Sequence, residues 1–119
     1  MKDYRKLQVW QRSHALILEI YHLTKSFPKE ALLGLTSPLR RCGSSIPANL
    51  AEGCGRDSDA ALKRFVDIAY GSASETEYFI FLANELGYIR APDYHGLSAE
   101  IVERKKMLGG LTRKLKADR

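Results

Sequence analysis

The stretch Leu39–Arg56, LRRCGSSIPANLAEGCGR, limits the possible folds more than any other part of the chain. Wound as a helix, it carries two opposed stripes. Leu39, Gly43, Ile46 and Leu50 recur at spacings of four, three and four, which makes a seam of small and apolar residues. Arg41, Ser45, Asn49, Glu52 and Arg56 form an equally regular polar line on another side. A line this ordered belongs to a helix that packs on partners and also positions hydrogen-bonding groups. Two readings of it stand. It is a buried polar network that fixes register between helices, or a surface that grips a phosphate backbone or a partner protein. Arg41 and Arg56 suit either, because a guanidinium offers five donors in a planar fork.

The flanking segments supply three more helices. The first spans about residues 5–26, with Leu7, Trp10, Ile17, Tyr21 and Thr24 on one stripe and Val9, Leu16, Ile20 and Leu23 on a second. Two apolar faces exceed what one bundle core requires. One face is therefore expected inside the protomer and the other against a second copy, with Trp10 and Tyr21 as anchors. Phe27-Pro28 ends this helix, since a residue before proline avoids the α region. The central helix spans 37–54, with Thr36 or Ser37 as N-cap, Pro38 in the first turn, Pro47 bending it, and Gly53 and Gly55 closing it.

Ser58 caps a third helix over 58–86, whose expected core stripe is Leu62, Phe65, Ala69, Ser72, Thr76, Phe79 and Ala83, with Gly87 just past its end. The fourth, over 93–116, keeps Leu97, Ile101, Arg104, Leu108, Leu111 and Leu115 in its seam. Gly109-Gly110 predicts a close crossing or a bend there, because glycine weakens a helix. The far side of this helix, Lys105, Lys106, Arg113, Lys114 and Lys116, is basic. Strand-period runs and internal repeats are missing. The reading is all-α: a single up-down four-helix-bundle domain over residues 1–119.

Charge points to the class of partner. Nineteen Lys and Arg against 14 Asp and Glu leave +5, which favours a polyanion. No apolar run approaches the ~18 residues of a membrane span, and the N-terminus MKDYRKLQVW lacks a signal-peptide pattern. The expected location is the cytoplasm, with no membrane partner. Cys42 and Cys54 lie twelve positions apart on one helix, about 18 Å, too far for a disulfide. Both read as small packing residues. Three scattered histidines and a single Glu-x-x-His, Glu19 to His22, do not make a metal site, because di-iron bundles use that motif twice. Gly53-Cys54-Gly55 follows a helix rather than a strand, so it is no dinucleotide loop. Ser72 near Glu75 lacks a histidine base. No catalytic residue, cofactor, metal or small-molecule substrate is expected.

Taken in order, LQVWQ and EIYHLTKSFP, then GLTSPLRRCGSSIPANLAEGCGR, then FVDIAYGSASETE and LANELGYI, resemble one family. It is the four-helix-bundle proteins encoded in intervening sequences of bacterial 23S ribosomal RNA genes, to which accessory proteins of diversity-generating retroelements are related. The resemblance covers about residues 4–115 and runs through Trp10, Arg40, Arg41, Ser45, Asn49, Glu52, Gly53, Arg56, Ser72 and Glu75. It implies a ring-shaped homopentamer of up-down bundles that binds RNA or a nucleoprotein. It transfers no catalytic residue. Cys42-Gly43, Pro38, Ala73 and Thr76 depart from the family's usual residues, which bears on packing more than on fold.

Two functions follow. The first is nucleic-acid binding by Arg40, Arg41, Arg56, Lys105, Lys106, Arg113 and Lys114, with Ser45, Asn49, Glu52, Ser72 and Glu75 as the polar network. Such binding tolerates sequence and depends on salt, since no base-reading fold is evident. The second is a structural or adaptor oligomer whose main partner is another protein.

Overall fold

A computed structural model describes residues 2–117. Four α-helices form the described part: α1 (Gln8–Thr24), α2 (Ser37–Cys54), α3 (Asp59–Glu85) and α4 (Ala91–Ala117). They make an all-α bundle of 46 × 22 × 20 Å, the long axis matching the roughly 40 Å of a 27-residue helix. The most extensive packing is α2 on α3 and α3 on α4; α1 lies on α2 and more lightly on α4. Each helix thus neighbours the next in sequence, and the loosest side of the bundle is the α1–α4 seam.

The helix ends follow local chemistry. Asp3 caps a short 3₁₀ turn, Tyr4–Lys6, by accepting from the Arg5 amide at 3.1 Å, and the extended Leu7 separates that turn from α1. Helix one is therefore shorter than the sequence suggests. At its other end the Thr24 hydroxyl donates to the Ile20 carbonyl at 2.8 Å. The expected side-chain N-cap of α2 is absent. Thr36 is itself helical and buried, because a π turn over Leu32–Thr36 feeds α2 directly and the Ser37 amide bonds back to Leu32. Ser58 caps α3 through the Ala61 amide at 3.1 Å. Gly87, at φ +79°, closes it with bonds from Tyr88 to Ala83 and from Gly87 to Asn84, the pattern that a left-handed glycine makes possible. Helix four takes Pro92 into its first turn and so starts earlier than residue 93.

The seam of α2 is buried as its spacing predicts: Leu39, Gly43, Ile46 and Leu50 are all in the core. On α3 the buried line is Leu62, Val66, Ala69, Ala73, Thr76, Ile80 and Ala83. The sequence reading placed Phe65, Ser72 and Phe79 there. Each lies one residue away and is half-buried on a flank, since the narrow centre of the bundle admits smaller side chains and leaves the phenylalanine rings at its edge. The two stripes of α1 likewise converge on one broad face. Val9, Ser13, Leu16, Ile17, Ile20 and Thr24 are buried, Trp10 and Leu23 are half-buried, and Tyr21 is exposed. Of α1's large apolar residues, Leu18 points fully outward at 59% exposure.

Several polar groups lie inside. Cys42 donates to the Leu39 carbonyl at 3.4 Å and accepts from the Thr76 hydroxyl at 3.3 Å. Burial pushes its thiol pKa upward, and the Thr76 hydrogen bond opposes that shift. Cys54 is also a buried free thiol, shifted upward chiefly by desolvation. Arg104, in the α4 seam, is 3% exposed. Its Nη2 pairs with Glu100, while Nε and Nη1 have no partner among the described residues.

Candidate nucleic-acid interface

The basic residues of the sequence fall into two groups, one on α2 and just after it and the other on α4. On α2, Arg40 folds back onto α1. Its Nε donates to the Thr24 hydroxyl at 2.8 Å, its Nη2 donates to the Tyr21 carbonyl at 3.2 Å, and the guanidinium lies 4.6 Å from the centre of the Tyr21 ring. Arg40 thus caps the Tyr21 carbonyl and the Thr24 hydroxyl at the C-terminal end of α1 and covers the Tyr21 ring, so Arg40 and Tyr21 are tied up in this contact. Arg41 is exposed. Arg56 pairs with Glu52 at 3.0 Å one turn away and lies against Phe65.

The second group meets α3. Along one flank, Tyr70 and Glu77 of α3 face Val102, Lys105, Lys106, Gly109 and Arg113 of α4 across an open groove of about 390 Å³. Three cations here oppose one carboxylate. That carboxylate, Glu77, is held by Lys105 at 2.9 Å, and the same ammonium lies 5.3 Å from the centre of the Tyr70 ring. Lys106 and Arg113 have no carboxylate partner among the described residues. Lys114 lies outside the groove and lines a smaller cavity with Lys2, Asp59 and Leu111.

Gly109 shapes this groove. The close helix crossing expected at Gly109-Gly110 is not what the structure shows. A Cβ at Gly109 would meet only the Arg113 guanidinium, at 3.4 Å, and one at Gly110 only the same side chain, at 3.8 Å. Helix four runs unbroken through both glycines, and the missing side chain leaves room beside Tyr70. Tyr70, Glu77, Val102 and Gly109 were not singled out by the sequence reading as site residues. A signal existed: Tyr70 and Glu77 share a face of α3 at a spacing of seven, and Val102, Lys105 and Gly109 share one of α4 at three and four.

The polar line of α2 resolves into two parts. Asn49 donates to the Ser45 carbonyl at 2.8 Å and to its hydroxyl at 2.7 Å, and that hydroxyl bonds Ser72 of α3 at 2.9 Å. The Ser45–Ser72 bond ties α2 to α3, and Asn49 holds the Ser45 hydroxyl from within α2. Glu52 and Glu75 stand apart from them: Glu52 is exposed and bound to Arg56, and Glu75 is exposed. Their expected membership of the network is corrected on that basis. Trp10 stacks on His14 at 5.1 Å and meets Tyr4 edge-on at 4.9 Å, a partly buried cluster at the start of α1. Among the described residues no group of three or more His, Cys, Asp or Glu side chains could hold a metal ion. No described helix is long and apolar enough to cross a membrane.

Comparison with known proteins now bears on this geometry. The sequence model of one family, described as 23S rRNA-intervening sequence protein, matches residues 5–110. Among solved structures, a protein of unknown function from the S23 ribosomal protein family of Bacteroides thetaiotaomicron superposes with a TM-score of 0.81 at 27% identity. That match covers 87% of this chain and 97% of the other. No curated protein matches the chain.

Proposed function

Because the chain belongs to the 23S rRNA-intervening sequence protein family, and because α3 and α4 enclose a cationic groove, we propose that it is a non-catalytic RNA-binding bundle. The observation that carries this reading is the pair Lys106 and Arg113, two cations free of carboxylate partners among the described residues at the lip of a groove whose one acid is neutralised by Lys105. Phosphate contacts by such residues release counterions and make affinity fall steeply with salt. Contacts to the backbone carry no base information, so binding is tolerant of sequence. Arg41 and Lys114 add to the field from outside the groove, whereas Arg40 serves the fold.

The protein acts, in this reading, as a homo-oligomer, with the pentameric ring of the resembled family as the expected form. Leu18 at 59% exposure, Leu33 at 84% and Tyr78 at 56% are large apolar side chains that such an interface would cover. A ring multiplies the +5 charge of each copy and sets several grooves around one axis. The reducing cytoplasm suits two buried free thiols. The same exposed apolar residues favour an adaptor bound to another protein as the second reading.

Titrating labelled RNA at two salt concentrations tests the first reading, with light scattering on the same sample. Binding that weakens strongly with salt, by an assembly of several copies, is the expected result. Salt-independent binding removes the phosphate mechanism, and a lone subunit at high concentration removes the ring. A partner that survives nuclease treatment in a pull-down from extract favours the adaptor.

A further inference from the structure

We infer that the α3–α4 groove takes an unpaired nucleotide of a single strand, its base against Tyr70 and its flanking phosphates on Lys106 and Arg113. The inference rests on the nucleic-acid reading above and narrows which form of strand is bound.

A surface that only counts phosphates needs exposed cations and no recess. This groove has a recess, about 390 Å³ in volume, within the roughly 300–1,000 Å³ range of small-ligand sites. Its inner wall is apolar. Tyr70 is 40% exposed, Val102 is half-buried beside it, and Gly109 contributes no side chain. The cations lie around that wall rather than in it. Lys106 and Arg113 are two helical turns apart, about 10 Å along α4, with Gly109 between them. Lys105, anchored to Glu77, covers part of the Tyr70 ring and holds it in place.

An aromatic side chain beside a track of cations is the arrangement by which proteins hold unpaired strands, since every base has a face to stack. A duplex cannot use it. Its bases are stacked inside and the major groove of its A-form is deep and narrow, so a duplex meets the rim cations and leaves Tyr70 and Gly109 untouched. The recess therefore separates paired from unpaired strands without reading sequence.

Fluorescence anisotropy on the whole protein tests this with three labelled probes: oligouridylate, oligodeoxyuridylate of the same length, and a blunt RNA duplex, all at one salt concentration. The expected result is about tenfold tighter binding of oligouridylate than of duplex, and a loss of about tenfold for oligouridylate in Tyr70→Ala with duplex affinity held within about twofold. Tyr70→Phe keeps the preference. Because Tyr70→Ala also removes packing, Gly109→Gln provides a second variant. It adds helix propensity, its Cβ meets only the far end of the Arg113 side chain, at ordinary contact distance, and its side chain fills the recess, so the single-strand preference is lost while duplex affinity stays within about twofold and the fold is intact by circular dichroism. Equal affinity for the two uridylates supports an unpaired strand of either sugar, and tighter binding of the ribose form supports RNA as its source. Equal binding of single strand and duplex, or variants that weaken both alike, overturns the inference and leaves the nucleic-acid reading standing. Failure of every probe to bind overturns the nucleic-acid reading itself.

Discussion

At position 53 a methyl group has no room: a Cβ there would stand 2.8 Å from the Phe65 Cβ and 2.9 Å from a Leu62 methyl. The first contact is the harder one, because a Cβ moves only with its backbone. Gly53→Ala gains helix propensity but forces α2 from α3, and a net loss of about 1–2 kcal/mol in urea unfolding is expected. Gly71, on the exposed side of α3, has nothing within 4 Å. There the same substitution should stabilise by about 0.5–1 kcal/mol. The two glycines look alike in the sequence, and only the crossing of α2 and α3 distinguishes them. Arg104 makes a second residue-scale case. Its buried guanidinium carries two nitrogens unpartnered among the described residues, so Arg104→Met should hold stability within about 1 kcal/mol of the native chain or raise it. Glu100→Ala leaves the charge buried without its partner and should cost about 2 kcal/mol, the half-exposed position of Glu100 limiting the loss. Denaturant midpoints of both variants check the pair.

Among the helices, the polar line on α2 shows how far sequence spacing carries. Its period placed Ser45 on the face that meets α3, where it bonds Ser72. It could not separate Glu52 and Glu75, because membership of a helical stripe fixes an angle to within a residue's width, whereas a hydrogen bond depends on ångströms. The difference is measurable. Asn49→Ala removes both bonds to Ser45 and should cost about 1 kcal/mol or somewhat more. Glu52→Ala removes an exposed i,i+4 pair and should change the melting free energy by less than about 0.5 kcal/mol. The same limit explains α3. Leu62, Ala69, Thr76 and Ala83 were legible as core, but the alternate positions fell to Val66, Ala73 and Ile80 instead of Phe65, Ser72 and Phe79. Either set satisfies a four–three repeat, and the choice is made by the size of side chain the bundle centre admits. The four helices and their order were legible throughout. The π turn before α2 was not, since Thr36 and Ser37 carry the residue types of a cap and only the path of Leu32–Leu35 turns them into helix.

At the scale of the whole molecule, the bundle sets one corner apart. Its cationic lip comes from α4, its aromatic wall from α3, and the open space between them from Gly109. The basic side of α4 was visible as Lys105, Lys106 and Arg113 at helical spacing, but the groove was not, because it needs the register of α3 on α4. Arg40 and Arg41 of α2, grouped with those lysines by charge alone, do not line the groove, and Arg40 is committed to α1. In the proposed reading, long-range attraction of RNA draws on the full +5 charge, while close contact falls to the α3–α4 corner. The most direct test compares the salt dependence of RNA affinity in the native protein and in Lys106→Gln/Arg113→Gln. The account predicts that the double variant folds and assembles as the native chain does, binds an unpaired strand more weakly, and shows a log–log salt slope shallower by about 1.4, roughly 0.7 for each phosphate contact removed. A slope and affinity unchanged by the double substitution would contradict it.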